Sequence, residues 1–412
     1  MKEENRSIFT LQDAGRRIGP VVFNTLVKPY GSTCNLDCTY CYYLDKALQY
    51  GGREPLMDYK LLEQYIRQHI ESVDSDQVDF CWHGGEPLLC GLDYFRKIVS
   101  IQDRFKGDKK ISNSLQTNGT LLTDEWCRFF AGHDFLIGLS LDGPRDIHDA
   151  FRVNKGGKPT FDKVMNAVTM LKRNHVEFNT LSVVSSLCEG RGTEIYRFFR
   201  DCIGSRYMQF LPAVEHTIVK PGIKRPVIVP PEYPGSEPAE WSVSSLGYGQ
   251  FLCDIFDEWV RNDVGRTFVI IFDATLSLYC GLQPGYCAFA ETCGDSLSIE
   301  HNGDVYPCDH FVYPDYKLGN LRETPLGAMF DSDKHLRFSL AKRNTLPDGC
   351  LRCKWFFACH GECPKHRFGE KNALCDGLKL YFSHTEKAMK RMKELLDDHQ
   401  SPSNIMLDGT LG

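Results

Sequence analysis

Cys34-Asn35-Leu36-Asp37-Cys38-Thr39-Tyr40-Cys41 decides how the rest of the chain is read. It is a C-x3-C-x2-C run with an aromatic residue before the third cysteine. Three thiolates on one short loop hold three irons of a [4Fe-4S] cluster, whereas a closed electron-transfer cluster takes four cysteines. The fourth iron is then open to a ligand that is not protein, as the open position of a catalytic zinc site is. A zinc knuckle is the competing reading, but zinc wants four ligands and no fourth Cys or His lies on this loop.

Outward from the loop, short apolar runs alternate with helical patterns. Candidate strands are Val21–Lys28, Val78–His83, Ile111–Gln116, Phe135–Leu141, Glu177–Val184 and Tyr207–Leu211. Candidate helices lie near 58–72, 92–105, 123–131, 160–174, 191–201 and 246–262. Six such units imply a parallel sheet with right-handed crossovers. The expected fold is α/β, a partial (β/α)6 barrel of the TIM type, followed by a small Cys-rich domain. Sites in such folds sit at the C-terminal strand ends. There the chain places the cysteine loop, Gly84-Gly85-Glu86-Pro87, Thr117-Asn118-Gly119, Asp142-Gly143-Pro144, Ser185-Ser186 and Pro212. Six polar or glycine-bearing turns on one edge point to a shared site.

The 412 residues are 42% hydrophobic and 25% charged, ordinary for a globular chain of two or three domains. A net charge of -6 gives no sign of nucleic-acid binding. No apolar run is long enough for a membrane span. Met1 to Arg17 lacks an apolar signal core, so the expected location is cytoplasmic. Eighteen cysteines in such a chain read as metal ligands rather than disulfides.

The opening loop resembles the C-x3-C-x-aromatic-C signature of the radical S-adenosylmethionine (SAM) enzymes, and His83-Gly84-Gly85-Glu86-Pro87 resembles their GGE motif. The resemblance implies that SAM chelates the open iron and is cleaved to a 5'-deoxyadenosyl radical. The expected SAM contacts are Tyr40, Gly84, Gly85, Glu86, Ser140, Asp142 and Arg152, the last as a carboxylate fork. Gln116 and Asn118 close the third strand and serve cofactor, substrate or a helix cap.

The second half carries Cys287-x5-Cys293, Cys308, then Cys350-x2-Cys353-x5-Cys359-x3-Cys363 and Cys375. Eight cysteines allow two complete four-cysteine sites, and spacing alone leaves iron-sulfur and zinc open. The pattern resembles the SPASM auxiliary-cluster domain. That resemblance implies one cluster on Cys287, Cys293, Cys308 and Cys363 and another on Cys350, Cys353, Cys359 and Cys375. Cys81, Cys90, Cys127, Cys188, Cys202 and Cys253 read as small core residues, and Cys280 is the one rival ligand. The expected domains are an extension over 1–20, the barrel over 21–262, the auxiliary-cluster domain over 263–400 and a tail over 401–412. Residues 213–245, rich in proline and glycine, break the rhythm and read as a lid or substrate-binding loop.

From Leu26 to about Lys390 the chain resembles the anaerobic sulfatase-maturating enzymes. The shared stretches include Cys34–Tyr43, Ser114–Thr120, Gly138–Gly143, Gly303-Asp-Val-Tyr-Pro-Cys-Asp309 and Cys350–Cys363. The resemblance implies oxidation of a cysteine or serine in a C/S-x-P-x-R sulfatase motif to formylglycine. It also implies three [4Fe-4S] clusters, SAM, Asp309 as general base, and a reductant such as flavodoxin or ferredoxin. Tyr43, His83 and Gln116 are the expected substrate contacts. Competing readings are a thioether cross-linking peptide maturase, an iron-sulfur electron carrier and a zinc-binding interaction protein.

Overall fold

The six apolar runs become six parallel strands. The computed structural model describes Thr10 and residues 22–52, 55–220 and 226–407. The expected 1–20 extension (Thr10 apart), Val21 and 408–412 lie outside the described residues. The strands are β1 (Asn24–Val27), β2 (Gln77–Trp82), β3 (Lys110–Thr117), β4 (Leu136–Ser140), β5 (Phe178–Val184) and β6 (Tyr207–Pro212). They pair in that order, every pair parallel. Between them run α1 (Tyr59–Ser72), α2 (Leu92–Phe105), α3 (Asp124–Gly132), α4 (Arg145–Phe151), α5 (Phe161–Arg173) and α6 (Gly192–Arg197). α6 passes into a π turn, Phe198–Ile203, and α7 (Ser245–Asn262) follows.

Side chains explain the pairing of layers. On β2 the buried residues alternate as Val78, Phe80 and Trp82. Phe80 and Trp82 stack at 5.9 Å and meet Tyr65 and His69 of α1, and Trp82 meets Phe95 of α2. Each such fully buried aromatic contributes about 1.5–3 kcal/mol. Caps start the helices where the loops must end. Asp58 accepts from Leu61 N at 2.9 Å and Ser244 from Gly247 N at 3.0 Å.

The sheet does not stop at β6 and does not close. Among the described residues it has ten strands, with Phe268–Val269 beside β6 at one edge. Beyond β1, Ser296–Ile299 pairs parallel with it, Asn24 opposite Ser296 and Val27 opposite Ile299. The chain then turns through Glu300–Gly303 into the antiparallel strand Asp304–Tyr306. This hairpin carries Glu300, Cys308 and Asp309 to the C-terminal end of β1, beside Lys28. The C-terminal helix Cys375–Asp397 crosses α7 at two glycines. A Cβ on Gly249 would lie 2.3 Å from the Gly377 carbonyl oxygen, and one on Gly377 1.7 Å from that of Ser245. Only glycine fits a crossing this close.

Residues 213–245 are largely folded. They form a three-stranded antiparallel sheet of His216–Ile218, Val227–Ile228 and Glu237–Pro238. Residues 221–225 lie outside the described ones. Leu36, Cys38 and Tyr40 of the cysteine loop pack with Ala213, Ala239 and Trp241 of this segment. Among the described residues no helix is long and apolar enough to cross a membrane.

Candidate active site

The cysteine loop leaves β1 and is fixed from below by the GGE turn. Gly85 N donates to Gly31 O at 2.8 Å and Glu86 N to Thr33 O at 2.9 Å. A Cβ on Gly85 would fall 2.2 Å from Thr33 O and 2.4 Å from Ser32 O. The glycine is therefore needed first for the approach of the cysteine loop's own backbone. Gly85→Ala is expected to cost about 1–3 kcal/mol, measured by chemical denaturation, with iron lost first from the Cys34–Cys41 loop.

Glu86, expected at SAM, is buried, and its carboxylate is already used. It accepts from Leu88 N at 3.0 Å, Thr117 Oγ1 at 2.7 Å and Asn118 N at 2.8 Å. Burial pushes its carboxyl up to about 7, against the pull of these donors. It ties the end of β2 to the end of β3, and Asn118 then donates to Asn35 at 2.9 Å and lies 3.8 Å from Cys34 Sγ.

Cys34, Cys38 and Cys41 lie within electrostatic reach of one another. Burial pushes Cys34 and Cys38 up to about 12 and raises Cys41 as well. Crowded, buried thiols ionise readily only against a cation, so this donor set fits an iron-sulfur cluster. Among the described residues no group of three His, Cys, Asp or Glu side chains is arranged to hold a single metal ion.

On the β4 side, Tyr40 OH donates to Asp142 at 2.5 Å. Arg152 forks onto Asp142 with Nε at 3.0 Å and Nη2 at 3.1 Å, and its guanidinium lies 5.5 Å from the Tyr40 ring centre. Arg152, expected at a SAM carboxylate, is thus paired within the protein. Gln116 Nε2 donates to Ser140 Oγ at 3.0 Å. The strand ends bring Tyr40, Gln116, Ser140, Asp142 and Arg152 to one side of the cysteine loop.

On the other side lies a charged network of which the sequence marked Asp309, Tyr43 and His83 but not Lys28, Tyr42 or Glu300. Lys28 Nζ donates to Asp309 Oδ1, and Tyr42 OH to Asp309 Oδ2. Lys28 also lies 3.5 Å from Glu300 and 3.6 Å from the Tyr43 ring centre. Tyr43, expected at the substrate, spends its hydroxyl on Glu300 at 2.5 Å, and the place beside Asp309 belongs to Tyr42. Burial alone would raise the Asp309 carboxyl. Lys28 instead holds it well below the usual carboxylate range. Burial lowers His83, and its Nδ1 accepts from Gly84 N at 2.8 Å, so the ring is neutral with its hydrogen on Nε2. Lys46 lies 3.2 Å from the Tyr313 ring centre, lowered to about 7 by burial and by Lys28 and Lys365. The local signal for Lys28 was a lysine ending an apolar strand.

The second-half cysteines gather in two groups. Cys308 is raised by burial and then by Cys287 and Cys293. Cys363 is raised by burial, then by Glu362 and by Cys293, Cys287 and Cys308. Cys350, Cys353, Cys359 and Cys375 line one cavity of about 290 Å³ with Trp355, Phe356 and Phe382. Each group supplies four sulfur donors, which fits a closed cluster. Cys280 interacts instead with Lys393 and Asp397.

The strand-end site, the cysteine loop and the two cysteine groups define a radical SAM enzyme with an iron-sulfur auxiliary domain. Residues 29–186 match the Radical SAM superfamily, and 287–354 match the SPASM iron-sulfur cluster-binding domain. The chain is 45% identical over 397 residues to the serine-type anaerobic sulfatase-maturating enzyme of Bacteroides thetaiotaomicron, covering 94% of this chain and 95% of that one. It is 31% identical to the cysteine-type enzyme of Clostridium perfringens, over 87% and 95% of the two chains. A solved structure, native anSMEcpe with bound AdoMet and Cp18Cys peptide, superposes with a TM-score of 0.79 at 30% identity over 91% and 99% of the chains. The protein belongs to the anaerobic sulfatase-maturating enzymes.

Proposed function

We propose that this enzyme oxidises a serine or cysteine residue in a C/S-x-P-x-R segment of a sulfatase to formylglycine. The observation that carries this is Asp309, a half-buried carboxylate set directly after Cys308 and joined through Tyr42 to the cysteine loop. Bound SAM, when reductively cleaved, supplies the radical that takes one hydrogen atom from the target Cβ. The chain's own residues do the rest. Asp309, kept ionised by Lys28, accepts the hydroxyl or thiol proton. A carboxylate this weak suffices because an α-hydroxyalkyl radical is a stronger acid than its parent alcohol. Cys308 joins the base directly to the cysteine group of Cys287, Cys293 and Cys363, which would hold a cluster able to accept the leaving electron. The higher identity to the serine-type relative, 45% against 31%, supports serine as the preferred target.

The division is a catalytic half over 21–262 and an auxiliary-cluster half over 263–400, sharing one sheet. The enzyme works in the cytoplasm, on an extended segment of the sulfatase, with a flavodoxin or ferredoxin as electron donor. Three [4Fe-4S] clusters give about twelve irons per chain, from three, four and four cysteines. Iron and sulfide analysis of anaerobically reconstituted protein checks this, and about four irons with zinc in the remainder would refute it. The functional test is anaerobic incubation with SAM, a reductant and two peptides, Ser-x-Pro-x-Arg and Cys-x-Pro-x-Arg, read by mass spectrometry. Formylglycine in the serine peptide is expected, and SAM cleavage with both peptides unchanged would refute the reading.

A further inference from the structure

Glu215 opens the 213–245 segment just past β6 and is 5% exposed. Its Oε1 takes a hydrogen bond from Lys365 Nζ, a residue of the auxiliary half. Its Oε2, also buried, has no hydrogen-bond partner among the described residues. Buried acceptors are nearly always paired, and an unpaired carboxylate oxygen is costly. The same segment carries an unpaired donor, the buried Trp241 Nε1, on a side chain packed against Leu36, Cys38 and Tyr40. An unmet acceptor and an unmet donor on one segment over the cysteine loop suit a ligand that offers both.

Glu215 is close to the chemistry. Lys365 Nζ lies 4.4 Å from the Tyr42 ring centre, and Tyr42 donates to Asp309. Glu215 therefore lies toward the Tyr42 side of the cysteine loop, whereas Ser140, Asp142 and Arg152 lie on the β4 side. A second cation is a poor ligand for it. Lys365 already balances Glu215, and Lys28 and Lys46 share the same enclosure. A neutral N–H donor fits.

We propose that Glu215 Oε2 accepts a main-chain N–H of the target peptide beside the residue being oxidised, an inference that rests on the function proposed above. An extended peptide presents such N–H groups at short, regular spacing. The Lys365 pair holds the carboxylate in position across the junction of the two halves.

The test uses the reconstituted holoenzyme and a Ser-x-Pro-x-Arg peptide N-methylated one residue at a time, the proline being blocked already. With wild-type enzyme, methylation at one position next to the serine is expected to lower kcat/KM about 10- to 100-fold. Glu215→Leu combined with Lys365→Met removes both buried charges together. It should lose a similar factor, mostly in KM, and that same methylation should then cost little more. Glu215→Gln, which keeps the volume and an amide oxygen, should fall between. Iron content and circular dichroism establish that the variants are folded. An equal methylation penalty in wild type and double variant overturns the proposal. So does a fall in SAM affinity with unchanged peptide KM, which would assign the oxygen to the nucleoside. Wild-type enzyme that oxidises no peptide at all overturns the underlying function as well, and that result appears before any variant is compared.

Discussion

Asp309→Asn is expected to keep its iron and to lose formylglycine formation by at least about 10²-fold, the low end for a missing general base. The asparagine fills the same volume, and its oxygen still accepts from Tyr42 or Lys28. It cannot take up a proton. Lys28 stays compensated because Glu300 is 3.5 Å away. The fold should therefore tolerate the change, although one charge has been removed from a network of several. SAM cleavage depends on the Cys34–Cys41 loop and should continue, so deoxyadenosine release and aldehyde yield separate. Both are to be measured in the same tube and expressed per iron bound. If Asp309 merely supports the group around Cys308, the damage comes in the other order, iron lost first and activity falling with it. Near-normal aldehyde per iron would remove Asp309 from the chemistry and move suspicion to His83 or Tyr42.

The barrel half was legible because each strand buries alternate side chains, as Val78, Phe80 and Trp82 do on β2, and each crossover helix shows its own period. β2, expected at Val78–His83, is Gln77–Trp82, and β5, expected at Glu177–Val184, is Phe178–Val184. The edge strands were not legible. Ser296–Ile299 and Asp304–Tyr306 are three or four residues long, and the pairing of Ser296–Ile299 with β1 joins positions some 270 apart in sequence. No local pattern encodes such a contact.

The site divides in the same way. Cysteine spacing, the GGE turn and the Cys308-Asp309 step are local, and they could be read directly. Lys28, Glu300, Glu215 and Lys365 acquire meaning only when the hairpin and the 213–245 segment close on β1. A lysine after Leu26-Val27 reads locally as the end of a strand. In the structure it is fully buried, and its partners Glu300 and Asp309 come from the other half of the chain. The roles of Glu86 and Arg152 show the converse. Both stand at the places the motifs mark, but in the structure their side chains are taken up by Thr117, Asn118 and Asp142.

Replacing Cys34, Cys38 and Cys41 together by Ala should abolish SAM cleavage while leaving the second-half iron in place. The three thiols share one loop after β1, whereas the other two cysteine groups are built from the hairpin, the 350–363 run and the start of the C-terminal helix. Losing one donor set removes none of the others, so iron should fall by about four of twelve. The loop itself should hold. Its backbone is fixed by Gly31, Thr33, Asp37 and Thr39, through bonds to Gly85, Glu86, Val153 and Phe151, none of which involves a sulfur. Each buried Cys→Ala change removes one heavy atom and costs roughly 1 kcal/mol. A folded protein with two-thirds of its iron and no deoxyadenosine release is therefore the expected result. SAM cleaved at the normal rate would mean that these cysteines do not form the SAM-cleaving centre. Loss of all iron would mean that the two halves are not built independently.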